Sequence, residues 1–406
     1  MRYNYFIKTY IAIYLIIFTF IQIQCKPSNE PFLSNEQIAI IGLLRSAGFQ
    51  GRFNHASVKL ADGKRVLFCG GTNGMGFIYK SCYIFSEDTG KILKISDLNI
   101  ERTTFTMHLL NSGKVLVAGG VGSNDSFIVT SEIFDPMTES FSVGPKLNSG
   151  RIYFASTKLN NGKILFSGGV GLNGQILKTL EIYDPALNLF SNSANQMTTE
   201  RFYHTATTLV SGNVLIAGGS NKTSRLSSAE IYDPVGDSLT VTGNLNHPRS
   251  RHSAALLGNG NVLITAGRGG QDSDSNVYYE EFGEVYAGAT FSLTAGKMNF
   301  PRRSQAIRTL LNGDILICGG YVLRADSSIS DTTNSCEKYN VVSNTYSSLL
   351  NLSVPRANPV IEVLNNGKIF IFGGILMDGF FANDVTTDNT GEIIDLQSNT
   401  TARITL

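Results

Sequence analysis

The stretch RFYHTATTLVSGNVLIAGGSNKTSRLSSAEIYDP, Arg201 to Pro234, sets out an arginine, a turn glycine in SGN, a Gly-Gly pair and an aromatic residue within AEIYDP. The same order recurs along the chain. Glycine pairs or their equivalents begin at Gly70, Gly119, Gly168, Gly218, Gly267, Gly319 and Gly373, spaced by 49, 49, 50, 49, 52 and 54 residues, with Arg268 replacing the second glycine of the fifth copy. Turn glycines precede them at Gly63, Gly113, Gly162, Gly212, Gly260, Gly313 and Gly367, and arginines stand upstream at Arg52, Arg102, Arg151, Arg201, Arg249, Arg302 and Arg356. Asn-Gly and Asp-Gly suit tight hairpins because both residues tolerate positive φ. Each copy therefore reads as four strands: one before the turn glycine, one ending at the Gly-Gly, one around Glu-x-Tyr, and one near Phe141, Phe190, Leu239, Phe291 or Tyr346. A lone four-stranded sheet cannot cover both of its faces, so the copies must stack, and at this period a ring is the economical closure.

Composition agrees with an all-β chain. Its 406 residues include 41 Gly, 24 Phe and 16 Tyr but no Trp, which suits many short strands and tight turns. Thirty-three basic residues against thirty-two acidic ones leave a formal charge of +1, without the footprint of a nucleic-acid binder.

The repeat resembles the kelch-repeat β-propellers of the galactose-oxidase-like, seven-bladed type, whose units share the Gly-Gly pair, the following Tyr and the preceding Arg. The resemblance spans residues 52–406 and implies seven blades of four antiparallel strands, over 52–101, 102–150, 151–200, 201–248, 249–301, 302–355 and 356–406. The departure is the family's fourth-strand Trp, replaced here by Phe, Tyr or Leu. Ring closure has two candidate strands, residues 36–46 and the C-terminal TTARITL, and Ser34 with Gln37 also fits the capping box of a helix over 35–46.

Arg2 and Lys8 precede the apolar run Ile11–Ile21, which is short for a membrane span and suited to a signal peptide over 1–24. Cys25 follows, then a polar tether within 25–51. This arrangement resembles a bacterial lipoprotein signal, although Gln22 and Gln24 depart from its usual Leu and small residue. It implies acylation of Cys25 and a membrane-anchored protein exported to the outer membrane or cell surface; an uncleaved anchor or a plain secretory signal is the alternative.

The other four cysteines share a pattern. Cys69 and Cys82 in the first copy occupy the same two repeat positions as Cys318 and Cys336 in the sixth. Cysteine is present at both places or at neither, which predicts cross-strand disulfides Cys69–Cys82 and Cys318–Cys336 in an oxidising compartment.

Strand alternation puts the double-glycine loops and the arginine segments on one face. There the loops lengthen from about twelve residues in early copies to fifteen to eighteen in the last three. Function on a regular frame tends to sit in such variable loops. Arg201 and Arg249, as members of a possible cationic ring, are candidate ligand contacts, as are Phe380 and Phe381; the alternatives are an architectural role for the arginines and a folded-back position for the phenylalanines. The partner expected is a protein or glycan bound by a monomer.

Tyr203 and His204 resemble the adjacent Tyr-His pair that supplies two copper ligands in galactose oxidase. The second tyrosine cross-linked to cysteine and the histidine from an added C-terminal domain have no counterpart here. His55, His204 and His252 share one repeat position, so no metal centre, catalytic residue or cofactor is expected. Asp272, Asp274 and Asn276 resemble the start of a calcium loop, but the glycine and distal Glu are absent, leaving a solvated loop as the better reading. The leading function is a binding module; the alternative is a carbohydrate-active enzyme, either a copper oxidase or a sugar mutarotase or epimerase.

Overall fold

The computed structural model describes residues 52–74, 76–271, 277–323, 330–377, 385–387 and 390–405. Seven four-stranded antiparallel sheets follow one another along the chain. The fourth blade is typical: Thr205–Thr208, Val214–Ala217, Ala229–Asp233 and Ser238–Val241 pair in sequence order. First strands lie innermost, facing a central channel; the fourth strands form the rim.

Burial follows that order. The second strands are covered on both faces and read as unbroken apolar runs, such as Val115–Ala118, Ile315–Cys318 and Ile369–Phe372, with every residue buried. Third and fourth strands meet through directly opposed pairs: Phe134 with Phe141, Tyr183 with Phe190, Tyr232 with Leu239, Tyr286 with Phe291, and Tyr339 with Tyr346. The aromatic pairs lie 4.9–5.2 Å apart between ring centroids and pack the third strand against the fourth.

The glycine pair stitches neighbouring blades. Gly70 and Gly71 have φ of 67° and 91°, and Gly71 N–H donates to Arg102 O of the next blade at 2.9 Å. A Cβ on Gly70 would lie 2.6 Å from both Arg102 O and the Phe105 ring, which is why glycine is needed. The fifth copy corrects the sequence register. Gly267, at φ 103° and donating to Arg302 O, is the second member of its pair; Ala266, at φ 62°, stands in for the first. The departure is thus Ala266, and the register Ile264 to Glu284 puts Thr265, not Ala266, in line with Gly283. Copies one to five place an aromatic ring against the first glycine of the preceding blade, whereas copy six carries Gln305 and copy seven Pro359 at that position.

The seven recurrent arginines lie within this stitch, each 0% exposed. Arg201 Nη1 donates to Gly218 O at 2.9 Å and Ser228 O at 3.0 Å, while Nη2 reaches Glu230 at 3.0 Å. Glu132, Glu181, Glu284, Glu337 and Glu392 pair likewise with Arg102, Arg151, Arg249, Arg302 and Arg356. In blade one Tyr83 occupies the Glu position, and Arg52 lies 5.0 Å from its ring centroid and 4.7 Å from that of Tyr79.

Blade seven is completed by the chain's own last strand, Thr400–Thr405, paired with Thr390–Asp395. The stitch continues across the seam, where Gly374 N–H donates to Arg52 O at 2.9 Å. Phe68, Phe85, Phe370 and Phe372 pack there, Ser57 donates to Glu362 at 2.9 Å and Lys59 to Val363 O at 2.9 Å. Residues 36–46 lie outside the described residues, as do Cys25, Phe380, Phe381, Asp272, Asp274 and Asn276.

Both disulfides are present. Cys69 faces Cys82 and Cys318 faces Cys336 in direct cross-strand register, each pair with 4.2 Å between Cα atoms. The first lies in the core between blades one and two, the second between blades six and seven.

Candidate functional site: the channel mouth on the double-glycine face

The longer loops of the last three copies build ribbons on this face. Arg268–Gln271 pairs with Val277–Tyr279, Tyr321–Leu323 with both Arg302–Arg303 and Ser330–Thr332, and Ile375–Met377 with Val385–Thr387. Copies two and three have only short 3-10 turns there, at Ser123–Asp125 and Leu172–Gly174.

Inside the ribbons runs a belt that sequence reasoning missed. Two residues after each recurrent arginine the backbone turns left-handed: Asn54, Thr104, Tyr153, Tyr203, Arg251, Ser304 and Asn358 have φ between 51° and 56°. Members are linked in two runs, Asn54 to Thr104 and Tyr153 to Asn358. Thr104 N–H donates to Asn54 O, Tyr203 to Tyr153 O, Arg251 to Tyr203 O, Ser304 to Arg251 O and Asn358 to Ser304 O, at 2.9–3.2 Å. The conformation is costly for side-chain-bearing residues, and only its repetition within the frame holds it. A signal was available in the sequence: this position varies freely while the arginine two residues before it does not. Asn54, Thr104, Tyr153 and Asn358 line a cavity of about 350 Å³ at the mouth. A larger recess of about 590 Å³ lies on the opposite face between blades six and seven, walled by Leu310, Leu349, Leu350 and Leu396. Asn312, Lys338, Ser348 and Asn399 complete that recess, but the mouth is the better candidate because residues of five blades converge on it and most are polar, whereas the recess is shared by two.

Arg201 and Arg249 do not line this mouth. Their guanidinium groups are spent on backbone carbonyls and on Glu230 and Glu284, so the cationic ring is replaced by buried ion pairs that join blades. The charge at the mouth comes instead from Arg251, two residues on.

The Tyr-His pair divides. His204 is buried, its edge against Gly168, with Nε2 2.9 Å from Ser167 Oγ. Burial, then Arg201, hold its pKa well below the ordinary histidine value. Phe105, Phe154, His252 and His55 press on the corresponding glycines of other blades, so His204 is a packing ring. Tyr203 belongs to the belt, where its hydroxyl accepts from Arg251 Nη2 at 2.9 Å; burial raises its pKa. Among the described residues no group of three or more His, Cys, Asp or Glu side chains is placed to hold a metal. The donor set does not fit a copper centre.

Comparison with known proteins agrees with this architecture. The Kelch motif matches residues 201–238. The tRNA wybutosine-synthesizing protein 4 of Saccharomyces cerevisiae is 29% identical over 217 residues, which are 50% of this chain and 29% of that protein. The chain thus spans about three tenths of the length of that curated relative. Among solved structures, a fungal alcohol oxidase of the AA5 family in complex with copper superposes with a TM-score of 0.67 at 17% identity, over 87% of this chain and 77% of its own. At that identity the likeness speaks for fold alone. The chain carries a Kelch motif in its fourth copy and folds as a seven-bladed kelch-type propeller.

Proposed function

We propose that this protein is an exported, membrane-anchored propeller that acts as a binding module, holding a protein or glycan at the double-glycine face. The belt carries the reading: a repeated frame presents seven side chains of five residue types, from Asn54 to Asn358, around one mouth. Such a division between fixed scaffold and variable display is the usual form of a recognition surface. Two buried disulfides are compatible with an extracellular site. Anchoring would follow from acylation at Cys25.

The test is retention of glycans on an array and of surface proteins in solution, compared between wild type and variants of each face. Tyr153→Ala with Asn358→Ala should abolish retention of any specific ligand, whereas Val235→Ser with Val342→Ser, at exposed turn tips on the other face, should not. Retention that follows the turn-tip variants instead would overturn the assignment. Stoichiometric copper with hydrogen peroxide release from sugars or alcohols would replace it by an oxidase.

A further inference from the structure

One sector of the mouth differs from the rest. Arg251 occupies the belt in blade five, Arg268 begins the ribbon Arg268–Gln271, and Arg303 lies in Arg302–Arg303 at the entry to blade six. Ser250 and Arg268 exchange backbone hydrogen bonds of 3.0 and 2.8 Å, which brings Arg268 across from the residue preceding Arg251. Arg251 lies 4.0 Å over the Tyr203 ring and donates to its hydroxyl. Arg303 Nε donates to Tyr279 OH at 2.8 Å, and its guanidinium carbon lies 4.3 Å from the Tyr321 ring centroid. Arg268 Nε is buried without a hydrogen-bond partner.

Among the described residues none of these three arginines makes an ion pair with a carboxylate, unlike six of the seven arginines of the stitch. Tyrosine rings and hydroxyls are the partners of Arg251 and Arg303, while Arg268 Nε has none. Burial, then the positive charge of Arg303, hold the Arg268 guanidinium below its ordinary pKa, with Arg251 adding to the effect. Like charges gathered at a partly desolvated mouth are unfavourable until an anion arrives, and the tyrosines hold the Arg251 and Arg303 guanidinium forks in place beforehand.

We propose that Arg251, Arg268 and Arg303, framed by Tyr203, Tyr279 and Tyr321, form a site for an oxyanion: the carboxylate, sulfate or phosphate of a ligand engaging the double-glycine face. The guanidinium fork matches such groups bidentately, and the tyrosines offer ring faces to the body that carries the anion. The proposal rests on the reading of this face as the binding surface.

Calorimetric titration in low-salt buffer with sodium glucuronate, sulfate and phosphate, and with glucose as the neutral control, tests it. At least one oxyanion should bind saturably and raise the melting temperature, while glucose does neither. Arg268→Gln, Arg251→Gln and Arg303→Gln should each weaken binding by about tenfold or more, and Lys91→Gln on the blade-one rim should leave it unchanged. Glucuronate binding without phosphate or sulfate assigns a planar carboxylate; the reverse assigns a tetrahedral anion. Absence of saturable binding, or equal affinity in all four variants, would overturn the site. If no oxyanion binds but a macromolecular ligand is still lost with Tyr153→Ala and Asn358→Ala, the oxyanion assignment alone falls; if retention is also indifferent to the belt, both fall.

Discussion

Arg201 carries its charge to a position with no solvent contact, where the blade supplies two carbonyls and the Glu230 carboxylate. Removing one partner strands the other. Arg201→Met should therefore cost about 3–5 kcal/mol in denaturant unfolding, whereas Arg201→Met with Glu230→Met should cost clearly less, because no lone charge remains buried. A cost near zero for the single variant would contradict the pairing. His55 offers the opposite case: it is buried, with no carboxylate or side chain bonded to its ring nitrogens and only a weak approach to the Phe372 backbone. Burial, then Arg52, lower its pKa from 6.5 to about 3. Between those values the unfolded chain takes up a proton that the folded protein refuses. Stability from this residue is complete above pH 6.5 and declines as pH falls toward 3, on the order of 1 kcal/mol per pH unit. Phe105 and Phe154 fill the same socket in blades two and three, so His55→Phe should fit. It should gain about 1 kcal/mol at pH 7 by removing poorly satisfied polar atoms, and more at pH 5. Urea melts at the two pH values check both the gain and its direction.

The strands were legible because each blade is built from one local segment of chain. Turn glycines, the double glycine and Glu-x-Tyr each perform a job within about fifty residues of sequence. The cysteine pairs were legible for the same reason, since cross-strand partners hold fixed repeat positions. Two things were not. Ala266 adopts φ 62° at the position that the six other copies give to glycine, and nothing in the local residue types marks that exchange. Arg249 and Arg251 stand two residues apart, yet one is sealed in the stitch and the other turned to the mouth; the left-handed residue between strand and stitch decides that, and its φ is not written in residue type. The belt's strain is testable through Thr104→Asn. Asparagine serves at this position in Asn54 and Asn358 and tolerates left-handed backbone better than a β-branched residue. The variant should raise stability by about 0.5–1 kcal/mol in thermal melts. Each buried disulfide should contribute on the order of 3 kcal/mol in the chain-entropy account. Alkylation of denatured, unreduced protein should leave Cys69, Cys82, Cys318 and Cys336 unlabelled, and labelling of any of them would contradict the pairing.

A ring of blades resembles a linear repeat array whose ends have met, so stability is shared among nearest-neighbour interfaces. Six interfaces are also joined by the chain passing from one blade to the next. At the seam between blades seven and one, among the described residues, only side-chain packing and hydrogen bonds act. They include the Phe68, Phe85, Phe370 and Phe372 cluster, the Ser57–Glu362 and Lys59–Val363 bonds, the bonds from Asn365 and Asn366 N–H to Glu87, and the Gly374–Arg52 stitch. Opening there releases two blades from mutual restraint, whereas opening elsewhere leaves neighbours tethered, so the seam should be the first interface to part. Phe370 contacts Phe85 at 4.6 Å and Phe68 at 5.8 Å between centroids, and Phe370→Ala should cost about 3–5 kcal/mol. Hydrogen exchange should show faster exchange concentrated in Arg65–Cys69 and Ile369–Phe372, with Ile164–Ser167 and Val214–Ala217 still protected. Phe166→Ala, in the tethered interface between blades two and three, should lower global stability without that local signature. Uniform loss of protection in both variants would mean that the ring opens only as a whole, and that the seam is no weaker than the joints the chain itself crosses.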